Sequence, residues 1–480
     1  MLRDLFRRGR ARLGGGSRDG GVRDDGVRGD GVLGDGVERV GVHAAAASRA
    51  EPLDPPADRV NHAGGRDEGM NEETRQFGSE YLRWAKTHPA AKYDLTSSGL
   101  PFLEMEALPV KLKDLELSGS GGYGHEPLLQ AIATRYRVPR ECVVSAMGTS
   151  MANHLVMAAL LQPGDEVLIE HPVYDPLPAL ARQLGIHVRR FTRRAEDGFR
   201  IDPDEVARSV GLGTRLIAIT NLHNPSGALT DEDTLRRIGE VARSVGARVL
   251  VDEVYLDALF ESEPRTAFHL GETFIVTSSL TKVYGLNGLR CGWVFAEPAL
   301  AERMWRLSEL FIGHGSMTAE MLGVVAFENL GAIAKRSRKL LERNREALNA
   351  FYATRADLEV LPHEFGTVSF PRLREGTAAE LCRLLETKYE TAVVDGAFFG
   401  MPHHLRIALG TRPKRFAAGL ERLGQALDEL RDPPIAPPAH ADASVEASAE
   451  APPSPDTGAP VPADDGAVSY HYPPQPWADS

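Results

Sequence analysis

Lys282 lies in SSLTKVYGLNGLRCGW (residues 278–293), with hydroxyls before it at Ser279 and Thr281 and a guanidinium eight residues after it at Arg290. An amine so placed can attack a carbonyl, and a guanidinium beside hydroxyls can hold a dianion. Three further groups precede it: Gly148-Thr149-Ser150, Asn224-Pro225-Ser226-Gly227 and Asp252-Glu253-Val254-Tyr255. Glycine and hydroxyls that open a helix form an anion site, because free N–H groups and the helix dipole both favour phosphate. A plain Ser/Thr N-cap is the simpler reading of the same residues. The Asn224 segment likewise reads as ordinary turn chemistry when taken alone. Asp252 ends an apolar run, where a carboxylate is costly to bury unpaired. A cation or a protonated ring nitrogen is expected to face it.

Each group follows a strand-length run: VVSA (143–146), LIAIT (216–220), RVLVD (248–252) and FIVTS (274–278). MANHLVMAALL reads as an apolar helix, and PGDEVLIE as a turn leading into a strand. Runs apolar on both faces belong to a covered parallel sheet. The last three are each preceded by a helix-like stretch, which implies βαβ crossovers. Residues 74–432 therefore read as α/β, and ligands of such sheets collect at the carboxyl ends of the strands.

The chain has 480 residues, 42% hydrophobic and 25% charged, with a formal net charge of -12. That acidic balance argues against nonspecific nucleic-acid binding, which relies on Lys and Arg to displace phosphate counterions. Cys142, Cys291 and Cys382 are too widely spaced for a disulfide framework or a metal site, and a reducing cytoplasm is expected. No apolar run reaches the roughly 18–20 residues of a membrane span. The basic N-terminus lacks the apolar stretch of a secretory signal. Residues 1–70 are low in complexity, with GVRDDGVRGDGVLGDGV repeating Asp-Gly-Val, and are expected to be disordered. Met70 opens an ordinary helical pattern and is a candidate true start. The Pro/Ala-rich stretch 433–480 reads as a second disordered tail.

Together the strand-end groups describe a phosphate cradle, a carboxylate, an asparagine, a tyrosine and one lysine. Pyridoxal 5′-phosphate requires this set: a lysine for its aldehyde, a carboxylate for its ring nitrogen, donors for O3′, and hydroxyls, amides and an arginine for its phosphate. On these motifs, in this order, the chain resembles the class I/II aminotransferases of pyridoxal-phosphate fold type I, the aspartate-aminotransferase-like family, over about residues 74–430. The resemblance implies a large domain (116–314) with a mostly parallel sheet and a smaller α+β domain (315–432) joined by residues 74–115. It implies that Lys282 forms a Schiff base with the cofactor and acts as general base. Gly148, Thr149, Ser150, Ser279 and Arg290 would hold the phosphate, Tyr174 would stack on the ring, Asn224 and Tyr255 would bond O3′, and Asp252 would pair with the ring nitrogen. Arg406, in HLRIA, resembles the arginine that grips a substrate α-carboxylate, with Asn224 and the backbone of Gly99 beside it. Tyr123, in GGYG, resembles a tyrosine that reaches the neighbouring subunit's phosphate, which implies a homodimer with shared sites.

The implied reaction moves an amino group between an L-amino acid and a 2-oxo acid. A C–S or β-lyase, or a related α-carbon enzyme, would keep the same residues. A non-catalytic cofactor-sensing regulator would carry a basic helix-turn-helix before the fold, where this chain has an Asp/Gly repeat. Residues 119–124, GSGGYG, fit G-x-G-x-x-G, but the charged KLKDLEL before them is not the apolar strand a dinucleotide site needs. Two departures from the family bear on specificity. Residues 310–315, LFIGHG, contain no arginine, which disfavours aspartate as donor, and Val-Asp-Gly stands at 394–396 where relatives more often have Pro-Gly. Burial near Arg290 is expected to lower the proton affinity of Lys282.

Overall fold

Apolar strands can satisfy their backbone only by pairing with one another, and here they do so in one seven-stranded sheet. The computed structural model describes residues 78–119, 122–261, 264–361 and 364–431. The expectations for residues 1–70, Met70 and 433–480 lie outside these. The chain enters through α1 (Glu80–Thr87), β1 (Tyr93–Asp94) and α2 (Glu126–Tyr136). The sheet is then laid down by β2 (Val143–Met147), α3 (Gly148–Leu160), β3 (Glu166–His171), α4 (Pro176–Gln183), β4 (His187–Thr192), α5 (Pro203–Ser209), β5 (Thr214–Thr220), α6 (Glu232–Ser244), β6 (Arg248–Asp252), β7 (Phe274–Ser279) and β8 (Cys291–Phe295).

The strand order is β2-β8-β7-β6-β5-β3-β4. β8 runs antiparallel to both neighbours, and the other pairs are parallel. The expected mostly parallel sheet is present, with its four apolar runs as strands. β5 shows why such runs are apolar throughout: Ile217 and Ile219 enter one core cluster, Leu216 and Ala218 the other. The approach to β7 differs from expectation. The stretch before it forms two 3-10 turns, Leu256–Leu259 and Ala267–Leu270, rather than an α-helix. Pro264, which offers no N–H, and a Thr266 side chain that accepts from the Phe268 N–H both oppose a continuous helix there. Register aligns Thr220 with Asp252 and Asp252 with Thr277, so the carboxyl ends of β5, β6 and β7 form one polar edge.

After α7 (Pro298–Ile312), α8 (Met317–Glu328) and α9 (Leu330–Tyr352), a smaller unit follows. It comprises β9 (Leu358–Glu359), β10 (Val368–Ser369), β11 (Arg372–Leu373), α10 (Ala378–Tyr389), β12 (Thr391–Ala392), β13 (Val394–Asp395), β14 (Leu405–Ala408) and α11 (Pro413–Arg431). β14 lies between β10 and β13, antiparallel to both. β1 pairs with β12, which ties the N-terminal segment to this unit. α8, which the sequence reading assigns to the small domain, packs on the large-sheet side: a Cβ at Gly323 would stand 3.0 Å from Leu128 and 3.4 Å from Cys291. Among the described residues no single helix is long and apolar enough to cross a membrane.

Candidate active site

Three residues beyond the end of β7, Lys282 is carried into the interior. Its Nζ donates to Ser98 Oγ at 3.3 Å, and the same oxygen accepts from the Tyr255 hydroxyl at 2.8 Å. The segment around Gly99 lies directly on this lysine: the Leu100 N–H donates to the Lys282 carbonyl at 2.8 Å, and a Cβ at Gly99 would stand 3.6 Å from Lys282 Cδ. Burial holds the amine below the ordinary lysine value. Arg406 adds to this, and Arg290 adds less, while Tyr81 and Asp252 oppose it.

Asp252 ends β6 with its carboxylate buried. Oδ2 accepts from Asn153 Nδ2 at 2.9 Å, and Oδ1 accepts from the Val254 N–H at 3.1 Å. Burial pushes its pKa up to about 6, against the pull of these two bonds and of Lys282. Asn153 is itself held in place, its Oδ1 accepting from Thr277 Oγ1 at 2.6 Å.

The turn from β2 into α3 carries the third group. Gly148 adopts a left-handed φ of 77°, and α3 has no side-chain cap. The simple N-cap reading is therefore not the one the chain adopts, and the first amides of the helix stay available. Arg290 Nη2 donates to the Met147 carbonyl at 3.1 Å and occupies the space beside Gly148: a Cβ there would lie 2.3 Å from Nη2. Gly292 is constrained in the same way, since its Cβ would stand 2.6 Å from the Gly148 carbonyl carbon. Thr149 Oγ1 donates to Ser279 Oγ at 2.9 Å, joining this turn to the end of β7. Ser150 is exposed in the first turn of α3. A cavity of about 180 Å³ adjoins the group, with Met147, Arg290, Gly292 and Glu320 in its wall.

Arg406, on β14, is fully buried. Its Nη1 donates to Asn224 Oδ1 at 3.1 Å, and its Nη2 donates to the Tyr81 hydroxyl at 2.7 Å and the Thr96 carbonyl at 2.9 Å. The guanidinium lies 5.2 Å from the Tyr81 ring centre and 5.3 Å from that of Phe399. Its Nε has no acceptor. All three acceptors of Arg406 are neutral, whereas buried cations are normally paired with carboxylates. The Val-Asp-Gly departure builds one wall of this pocket. Asp395 accepts from the Ala397 N–H at 2.8 Å and so caps the turn that carries Phe399. Gly396 is compelled there, because a Cβ would stand 2.3 Å from the His404 carbonyl oxygen.

Tyr174 is largely buried, edge-on to Tyr81 at 5.7 Å between ring centres, and burial pushes its phenol well above the ordinary tyrosine value. Tyr123 stands apart from the other residues: it is exposed, donates to Glu309 and packs on Trp305 at 5.6 Å. Sequence reasoning missed Ser98, Asn153 and Tyr81. Asn153 carried a signal, a lone amide in the apolar run of α3. Ser98 adjoined the noted Gly99, and Tyr81 carried no signal at all. No described strand lies between β1 and β2, so GSGGYG lacks the strand its dinucleotide reading requires.

Residues 98–423 match the family model described as aminotransferase class I and II. The chain belongs to this family. It is accordingly an enzyme of fold type I that depends on pyridoxal phosphate. Capreomycidine synthase from Streptomyces vinaceus is 30% identical over 350 residues, which cover 70% of this chain and 90% of that protein. Arginine–pyruvate transaminase from Pseudomonas aeruginosa is 29% identical over 373 residues, covering 72% of this chain and 95% of that one. A solved structure of a PLP-dependent cyclase superposes with a TM-score of 0.66 at 25% identity, over 76% of this chain and all of the other. The donor set of this aminotransferase-family enzyme fits its cofactor. One buried amine of lowered proton affinity, one buried carboxylate without a cation, and an uncapped helix start beside Arg290 correspond to an aldehyde, a ring nitrogen and a phosphate.

Proposed function

We propose that the enzyme is a transaminase that moves an amino group between an L-amino acid and a 2-oxo acid at Lys282. The observations that carry this reading are two groups: the partly buried amine of Lys282, its proton affinity lowered by desolvation, and the fully buried guanidinium of Arg406, which has only neutral partners. Gly148, Thr149, Ser150, Ser279 and Arg290 would hold the cofactor's phosphate, Tyr174 would cover its ring, Asn224 and Tyr255 would donate to O3′, and Asp252 would face its ring nitrogen. Bound there, the cofactor supplies a conjugated cationic ring that takes up the electrons released at the substrate α-carbon. Arg406, with Asn224 and the Gly99 backbone, grips the α-carboxylate and so points the α-hydrogen at Lys282. Lys282 Nζ, its proton affinity lowered by burial, takes that proton and later returns it. Asp252 would stand against the ring nitrogen and favour its protonated form.

Tyr123 has no role within its own chain's site, and this supports a homodimer in which it reaches the other copy. Leu117 and Leu310, 93% and 79% exposed, are apolar surface that a second copy would cover. Three free cysteines, all buried, fit a reducing cytoplasm. The smaller unit around β14 would close over the sheet edge and bring Arg406 to the substrate.

A second reading keeps every residue and changes the outcome to an elimination or ring closure at the α-carbon side chain. It draws on the synthase and cyclase among the relatives. One experiment separates the two: single amino acids, arginine first because one relative is named for it, are mixed with the yellow holoenzyme. Conversion of the chromophore to the pyridoxamine form supports transamination. A holoenzyme that converts with none, yet releases pyruvate from a β-substituted alanine, supports the second reading.

A further inference from the structure

Arg406 cannot receive a carboxylate through two parallel bonds in the arrangement described above. A guanidinium has five N–H donors, and both of its edges that present two parallel N–H bonds include one N–H of Nη2. Both N–H bonds of Nη2 are taken, one by the Tyr81 hydroxyl at 2.7 Å and one by the Thr96 carbonyl at 2.9 Å. The donors left over are Nε–H, which has no acceptor, and one N–H of Nη1. They lie on different edges. One partner of Nη2 must therefore leave. The Thr96 peptide is anchored, since Asp94 Oδ1 accepts from its N–H at 2.8 Å and from its hydroxyl at 2.6 Å. Tyr81, a side chain in the first turn of the eight-residue helix α1, is the partner whose release needs no backbone shift, and to leave it must break its ring contacts with Tyr174, Phe398 and Phe399.

We propose that Tyr81 is a latch on the carboxylate site: its hydroxyl occupies the place of one carboxylate oxygen and must release Arg406 before an α-carboxylate binds. The inference rests on Arg406 as the carboxylate grip. Tyr81 suits the part electrostatically. Burial raises its phenol, but Arg406 and the Lys282 amine outweigh this and leave it below the ordinary tyrosine value. The latch would keep a buried guanidinium solvated in the resting site and make a substrate compete for it. Tyr81 is then a determinant of carboxylate affinity.

The test titrates the holoenzyme with propionate, an inert carboxylate, followed by the absorption of the bound cofactor, for wild type, Tyr81→Phe and Arg406→Lys. Loss of one competing hydrogen bond, worth a factor of about five, should make Tyr81→Phe bind propionate roughly five-fold tighter. The KM for amino donors should fall by a similar factor, with the effect carried by KM rather than kcat. Unchanged or weaker binding by Tyr81→Phe overturns the latch, because a merely supporting tyrosine cannot tighten binding when shortened. Arg406→Lys should weaken binding about ten-fold or more. If it does while Tyr81→Phe changes nothing, the latch alone falls. If Arg406→Lys also binds unchanged, the carboxylate role of Arg406 falls and the latch with it.

Discussion

Arg193 and Arg406 are both fully buried, and they solve the problem of a buried cation in opposite ways. Arg193 Nη1 donates to Glu170 Oε2 at 2.7 Å, with both side chains inaccessible. Its Nε donates to the Phe199 carbonyl at 2.6 Å and its Nη2 to Thr230 Oγ1 at 3.2 Å, while Glu170 Oε1 accepts from the Thr220 N–H and hydroxyl at 2.7 Å each. Burial pushes Glu170 up and Arg193 down, and the attraction between the two opposes both shifts. That network is closed and has nothing to offer a ligand. Arg406 has three neutral partners, no acceptor at Nε and two aromatic walls. A closed buried charge holds a fold together, and an open one waits for an anion.

The sharpest way to break this contrast is to remove each charge. Arg406→Met should lower kcat/KM for α-amino acids by about 10³-fold or more, the loss of a charge-assisted bidentate contact. In the cofactor-free protein it should shift the urea midpoint much less than Arg193→Met does. The latter leaves Glu170 as an uncompensated buried charge and should cost about 3–5 kcal/mol. Equal destabilisation by the two variants would erase the distinction. Adding Glu170→Gln to Arg193→Met should recover part of the loss, and a strictly additive double variant would deny that the two form one unit.

Asp252 extends the comparison to a carboxylate that also lacks a counter-ion. Its pKa rises from 3.8 to about 6 on burial. Between those values the native cofactor-free protein binds more protons than the unfolded chain, so its stability falls as pH rises through that window. The drop should approach about 3 kcal/mol, and Asp252→Asn should flatten it. Denaturant melts of the apo-protein at pH 4, 5, 6 and 7 measure the slope.

The smallest effect sharpens the third open group. Gly148→Ala combines a left-handed φ with a Cβ in the space of Arg290. Displacement of the guanidinium should raise the dissociation constant for pyridoxal phosphate roughly ten-fold or more. Stability of the apo-protein should fall by about 1–2 kcal/mol, the backbone strain of a left-handed alanine. Fluorescence titration of the two apo-proteins with the cofactor would show it.

The two halves of the site were not equally legible in the sequence. Lys282, Asp252, Asn224, Ser279 and Gly148 each follow an apolar run, and a run apolar on both faces already implies a covered strand with its next residue at the sheet edge. Legibility failed where partners come from distant segments. Tyr81 meets Arg406 across 325 positions and Asn224 meets it across 182, and no local pattern anticipates either bond. Asn153 is intermediate, visible as an oddity in an apolar helix but connected to Asp252 only by the packing of α3 on the sheet.

The chain's local chemistry, by itself, decided that there would be a mostly parallel sheet and which residues, a lysine and an aspartate among them, would stand at or just beyond its carboxyl edge. Periodicity and strand-end position depend on neighbours within about ten residues, so they survive in a linear text. The tertiary fold alone decided that Arg406 would be open and Arg193 closed, that Ser98 would receive Lys282, and that a tyrosine from the first described helix would bond the open guanidinium. Burial and pairing are properties of three-dimensional neighbourhoods, and a charge becomes functional or structural only when the fold sets which partners reach it.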